Sequence, residues 1–318
     1  FCMKITPMNK LYIVLLISFG MFVSCKDGTA SKDQVLKSEP ISETPRTLQK
    51  TSTFETSQEF KNYWYAGEAE ISSYKLEQAR YGELRDGTAV LVFVTEDFLP
   101  EKQVKADRYN KANTPVLKLN FTKNFNTGVY PYSIMQSTFY PINNNQHALK
   151  VSCSVQEWCG HVYTQLNNRG QFEIRSHSYF ESEGDEDFTL NKSILENELW
   201  TQLRLDPESL PIGEFEAIPS LEFLRLKHIE TKPYFAKALN KAGQYIINYH
   251  QLDRKLTINY NPNFPYEITS WEETYKDGYG SNAKTLTTIA TKLKTIKSAY
   301  WNKNSNSDKN LRKTLELK

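Results

Sequence analysis

Cys153, Glu157, Trp158, Cys159 and His161 fall within nine residues, and His177 follows one strand later. Two thiols, a carboxylate and an imidazole so close together support three kinds of chemistry. A Cys153–Cys159 disulfide suits an oxidising compartment. Buried free thiols beside a core histidine are a second reading, since cysteine often packs as a small hydrophobe. A nucleophile or metal site would use Cys159 and His161, with Glu157 as a further catalytic candidate. The Cys-x5-Cys spacing is longer than usual for zinc, and no second ligand pair follows. Other templates are missing: there is no Gly-x-Ser-x-Gly elbow, no His-Glu-x-x-His, no phosphate loop and no dinucleotide fingerprint. Nothing in the sequence implies a cofactor or a metal.

Two strands and a turn have to position these side chains. Asn167-Asn168-Arg169-Gly170 reads as a four-residue hairpin turn, which pairs Leu166 with Gln171, Tyr163 with Ile174 and His161 with Ser176. Opposed residues share a face. Phe172, Ile174 and Phe180 mark the apolar face, so this register points Cys159, His161 and Tyr163 inward and His177 outward.

Beyond this hairpin the dominant period is two. Lys255-Leu256-Thr257-Ile258-Asn259-Tyr260 alternates as a half-buried strand, and the apolar run Ala89 to Val94 fits a central strand. Strand-like runs also occupy 65–84, 130–141, 158–166, 171–180, 214–229, 244–250, 265–275 and 285–298. One helix near 193–205 interrupts them. Ser193-Ile194-Leu195-Glu196 has capping-box order, Leu195, Leu199 and Leu203 form a stripe, and Pro207 stops it. The expected class is mainly β (β-rich α+β): a curled antiparallel sheet or half-barrel around one central helix.

The chain begins differently. Met8-Asn9-Lys10 precedes an apolar run from Leu11 to Val23 that ends at Ser24-Cys25. This pattern reads as a secretory signal over residues 1–25, too short to span a bilayer as a helix. Phe22-Val23-Ser24-Cys25 resembles the bacterial lipobox, which implies acylation of Cys25. Residues 26–57, rich in Ser, Thr, Lys, Glu and Pro, read as a flexible tether, 58–302 as the β-rich domain and 303–318 as a basic tail. The anchor places the chain in the cell envelope, at the outer membrane in preference to the inner.

Composition narrows the partners. Lys and Arg number 39 and Asp and Glu 37; removing the signal takes Lys4 and Lys10 and leaves 37 of each sign. A neutral mature chain lacks the basic field that nucleic-acid binding needs. The 19 Tyr, 17 Phe and 5 Trp can fill a substantial core, which excludes global disorder. Nine Lys or Arg over 284–318 and five acids from Glu181 to Asp187 read as solvated segments; in a sharper reading the basic one meets anionic lipid head groups.

Tyr63-Trp64-Tyr65-Ala66-Gly67-Glu68-Ala69-Glu70 through Asp97-Phe98-Leu99-Pro100, with Gln156 to His161 and Leu286 to Trp301, resembles a family of uncharacterised bacterial envelope lipoproteins. Some members are labelled "septum formation inhibitor Maf". That label implies nucleotide pyrophosphatase chemistry on an α/β fold with an early Ser-x-x-Arg motif; no such motif is matched here, so no residue is carried across. The strand–helix–strand layout is also similar to the half-barrels of lipoprotein carriers, which hold acyl chains on a concave face. The expectation is a non-enzymatic envelope module that binds a hydrophobic ligand or a protein partner, with an envelope enzyme using Glu157 and His161, or a Maf-type pyrophosphatase, as alternatives.

Overall fold

A computed structural model describes residues 56–143, 146–241 and 243–317. The expected signal segment 1–25, the lipidation site Cys25 and all but the last two residues of the 26–57 tether lie outside the described residues.

The fold is mainly β, as the alternating pattern predicts. Sixteen strands form one unclosed sheet: β1 (Ala69–Arg80), β2 (Glu83–Leu99), β3 (Val104–Lys105), β4 (Thr114–Thr127), β5 (Tyr130–Pro141), β6 (Lys150–Glu157), β7 (Gly160–Asn168), β8 (Phe172–Ser178), β9 (Asp185–Leu190), β10 (Ile194–Leu195), β11 (Gly213–Ile218), β12 (Tyr234–Lys241), β13 (Gln244–Tyr249), β14 (Arg254–Tyr260), β15 (Ile268–Asp277) and β16 (Lys284–Ser298). Helices α1 (Gln58–Trp64), α2 (Glu196–Leu205), α3 (Leu221–Lys227) and α4 (Asn310–Thr314) accompany them. Across the sheet the order is β10-β11-β12-β13-β14-β15-β16-β1-β2-β4-β5-β6-β7-β8-β9, with β3 on the far end of β2. Every pairing is antiparallel except β10–β11. The chain thus makes two hairpin meanders, joined where β1 pairs β16 from Ala69↔Ser298 to Glu77↔Ile289.

Tight turns set these registers. Arg80 pairs with Glu83 across Tyr81-Gly82, and both turn residues have positive φ (58° and 76°), as a two-residue hairpin requires. Gly82 is also packed against the β15–β16 turn: its N–H donates to Asp277 Oδ2 at 2.7 Å, and a Cβ there would lie 2.9 Å from the Asn282 carbonyl oxygen.

The sheet curls because α2 and α3 occupy its concave side. All ten residues of α2 are buried. Leu195, Leu199 and Leu203 meet the core as the stripe predicts, and Trp200 packs between Phe121 and Trp271 at ring distances of 5.2 and 5.4 Å. The polar face is buried too, so its charges need partners. Arg204 makes a bidentate pair with Glu70 of β1 at 2.5 and 2.7 Å, between the rings of Trp64 and Phe93. Arg254 of β14 grips Glu196 at 2.5 and 2.6 Å and reaches Glu273 of β15 at 2.7 Å. On α3, Glu222 accepts from Lys123 of β4 at 2.8 Å and from Gln136 of β5 at 2.9 Å. Strands far apart in the sheet order therefore converge on two short helices.

Several boundaries differ from the sequence reading. The capping carboxylate of α2 is Glu198, which accepts from the Leu195 N–H at 3.0 Å; the helix starts at Glu196, and Ser193 does not cap it. The run 214–229 is not one strand. It breaks at Pro219-Ser220, where the Ser220 hydroxyl caps α3 by accepting from the Phe223 N–H at 3.2 Å. The basic tail 303–318 is partly folded: a 3-10 turn over Asn306–Lys309 and α4 bring Leu315 and Leu317 onto Ile71, Val94 and Ile296 on the convex face. Ser73 donates to the Leu315 carbonyl at 2.5 Å.

Candidate functional site

The residues first considered for chemistry are not assembled into a site. Cys153 and Cys159 are free thiols, the first buried and the second exposed. Cys153 sits opposite Thr164 in mid-strand, while Cys159 lies in the tight turn after Glu157. Four extended residues to Glu157 already span about 13 Å at ~3.3 Å each, beyond the roughly 7 Å Cα limit for a bridge. The expected disulfide is therefore corrected.

The β7–β8 register is corrected as well. The turn is the three residues Arg169-Gly170-Gln171, and Asn167 and Asn168 stay in the strand opposite Glu173 and Phe172. The pairings become Leu166↔Ile174, Thr164↔Ser176 and Tyr163↔His177. Val162, Thr164 and Leu166 point inward, whereas Cys159, His161 and Tyr163 face solvent. No hydrogen bond or ion pair joins His161 to Glu157 or Cys159. The Glu157 carboxylate accepts from the Cys159 N–H at 2.7 Å and, as a hydrogen-bond acceptor for the thiol, raises its pKa. A nucleophilic cysteine needs the opposite shift. Cys153 is also pushed well up, by burial.

The open space lies elsewhere. Between the concave face of β7–β9 and α3 with the residues that follow it is a cleft of about 620 Å³. Val162, Phe188, Leu190, Leu221, Leu224 and Ile229 give it apolar walls. One side carries a knot of polar groups. Glu183, in the β8–β9 turn, accepts from the Ser178 hydroxyl at 2.6 Å, lies 2.6 Å from His228 Nδ1 and pairs with Arg225 at 3.1 Å. Phe180 packs edge-on to His228 and beneath the Arg225 guanidinium. His228 ends α3 in the left-handed conformation, φ 53° and ψ 46°, which swings its ring back toward Glu183. Burial lowers the Arg225 pKa while Glu183 works to raise it, and Arg225 Nε is buried without a hydrogen-bond partner.

Acids furnish the rest of the rim. Asp185 and Asp187 pair with His177 at 3.3 Å and Arg175 at 2.9 Å, and Glu186, opposite Ser176, lines the cleft with Asp187 and, past α3, Glu230. The acids from Glu183 to Asp187 belong to a sheet-edge strand and its turn. The geometry suits binding: apolar walls, carboxylates of Glu186, Asp187 and Glu230 at the rim, and a guanidinium–imidazole–carboxylate knot. Ser178 spends its hydroxyl on Glu183 and bonds neither ring nitrogen of His228, so no nucleophile–base pair forms. Sequence reasoning missed this site because Glu183 and His228 are 45 residues apart; only the β8–β9 turn and the end of α3 join them. Among the described residues no helix is long and apolar enough to cross a membrane.

No protein-family model matches the chain, and no curated protein matches it. Among solved structures, a porin-like protein from Bacteroides uniformis aligns over 70% of this chain and 95% of its own, at 10% identity and a TM-score of 0.20. A superposition this loose has no bearing on fold or function.

Proposed function

We propose that the chain is an envelope lipoprotein, anchored through Cys25, that binds a hydrophobic ligand in the cleft beside β9 and catalyses no reaction. The observation that carries this is the cleft itself: its volume and apolar walls with a few convergent polar groups have the character of a small-molecule site. The concave face first expected to hold a ligand is filled by α1, α2 and α3, so the ligand belongs at the margin of the sheet. The charged groups gathered beside these apolar walls, Arg225 and His228 among carboxylates, favour a ligand with an apolar body and a polar end.

Native mass spectrometry of the full chain, purified from its own membrane, tests this before and after organic extraction. The expected result is a lipid-sized adduct that extraction removes and that Leu224→Trp, which fills the cleft, prevents. An adduct retained by the L224W chain, or none on the wild type, would overturn the reading. Incubation with nucleoside triphosphates is expected to release no pyrophosphate.

A further inference from the structure

Antiparallel alternation sorts the loops onto two ends of the sheet, and the ends differ in charge. The hairpin tips at 81–82, 128–129, 158–159, 179–184, 250–253 and 278–283 share one end and hold Glu181, Glu183 and Asp253 without a Lys or Arg; the β11–β12 connection 219–233 ends there too, and its Arg225, Lys227 and Lys232 are each paired with a carboxylate, of Glu183, Asp277 and Glu230. The other end gathers around the last residues of β2. There the 100–113 loop carries Lys102, Lys105, Arg108 and Lys111 against Glu101 and Asp107, and Lys303 follows β16. Exposed Tyr65, Val104, Tyr109, Tyr300 and Trp301 lie among these cations. Their grouping follows from the pairing: β3 pairs Phe98 and Leu99, Thr114 pairs Phe98, and Ser298, just before Tyr300, pairs Ala69, just after Tyr65. Both ends expose aromatic rings, so charge distinguishes them.

We propose that this second end is a docking face for an anionic bilayer surface. Tyrosine and tryptophan suit the interfacial zone, with the ring among acyl chains and the polar edge at head-group level. Lys105 is spent on Glu96 and Asp97 lies beside Tyr65, but Lys102, Arg108, Lys111 and Lys303 remain to match anionic head groups, each cation near the surface multiplying affinity about fivefold. The described fold also begins here. Helix α1 closes this end, with Tyr63 O accepting from Lys297 and Trp64 O from Thr95, and thirty residues separate Thr56 from Cys25. An acylated Cys25 would convert docking into an intramolecular event at high effective concentration, so a weak patch is enough. The acid-tipped end would then face away from the membrane, repelled by the same head groups.

Two exposed tryptophans at opposite ends make the test decisive: Trp301, 47% exposed, and Trp158, 68% exposed. The full chain is mixed with vesicles of phosphatidylcholine and phosphatidylglycerol carrying bromine on their acyl chains, and tryptophan emission is read. Quenching is expected; Trp301→Phe should abolish it and Trp158→Phe should leave it. In phosphatidylcholine-only vesicles, or with Lys102→Gln and Lys303→Gln together, it should fall strongly. Raising ionic strength from 0.01 M to 1 M shortens the screening length from about 30 to 3 Å and should act the same way. Quenching carried by Trp158, quenching indifferent to lipid charge, or a chain that floats with vesicles while Trp301 stays unquenched would each overturn the proposal. The last result would leave the anchor and the cleft reading untouched.

Discussion

Replacing Arg204 with Met tests whether buried charge organises the interior. The guanidinium is 1% exposed and Glu70 fully buried, the pair is bidentate, Arg204 Nε donates to the Pro265 carbonyl at 2.9 Å, and the Tyr63 hydroxyl donates to Glu70. Met fills comparable space between Trp64 and Phe93, so the main loss is electrostatic. Removing one partner of such a pair costs about 3–5 kcal/mol, because the other charge stays buried. With an unfolding entropy of ~2.1 cal/mol/K per residue over about 260 residues, that lowers Tm by about 5–9 °C. The pH dependence fixes the cause. In the wild type burial pushes the Glu70 pKa up, but the charge and hydrogen bonds of Arg204 outweigh it and hold it below the usual range. A lowered carboxylate stabilises above its unfolded value and stops doing so as pH falls through its folded value, so the contribution of Glu70 in the wild type should be level between pH 7 and 5. In R204M burial wins and the Glu70 pKa rises; that variant should gain stability on acidification over the same range. Glu70→Gln added to R204M should restore most of the loss. Differential scanning calorimetry at pH 7 and pH 5 reads all of this. A cost below about 1 kcal/mol, or a double variant less stable than R204M, would refute the reasoning.

Three further outcomes follow from geometry. Val162→Asp should cost at least about 3 kcal/mol by burying a charge, while His161→Asp one residue earlier stays within about 0.5 kcal/mol; urea titration of both variants decides the β7 register. Iodoacetamide should label Cys159 in the native chain and reach Cys153 only on unfolding, and Glu157→Gln should speed labelling of Cys159 by lifting the upward shift; peptide mass spectrometry that finds the two bridged would reject this. His147 binds Glu198 at 2.9 Å; burial lowers its pKa, but that hydrogen bond and charge raise it further. Its contribution should be full below about pH 6.5, the unfolded value, and be lost as pH rises through the folded value, and His147→Gln should flatten that slope in thermal melts.

The fold class was legible because a period of two survives in most strands and one leucine stripe marks α2. Some missed elements had signals. Val116 to Phe121 alternates well enough to mark β4, and Pro219-Ser220 ahead of Leu221 and Leu224 is a usable helix start. The site was less legible for a physical reason. The observed β7–β8 pairing differs from the expected one by an odd number of residues, and an odd slip exchanges the faces of a strand. A misplaced turn, with the pairing shifted by three residues, thus moved His161 from solvent to core and built a cluster that does not exist. The partners of Glu196, Glu222 and Arg204 come from strands more than fifty residues away, where no local pattern reports them.

The seam between β1 and β16 bears on the order in which the molecule can be made. Every other long pairing joins neighbours in sequence and can form while the chain is still emerging. Ala69 must wait for Ser298, so the centre of the finished sheet is the last part supplied. Until then β1 has one bare edge, and Arg204 can hold Glu70 only in a fold whose second meander is still arriving. Such long-range closure is slow and leaves strands open to wrong partners. Under the export proposed above, the interval between arrival of β2 and arrival of β16 is the exposed stage of its life. A holding chaperone on the far side would act there, and truncation just before Lys284 should leave a species that accumulates in that unfinished state.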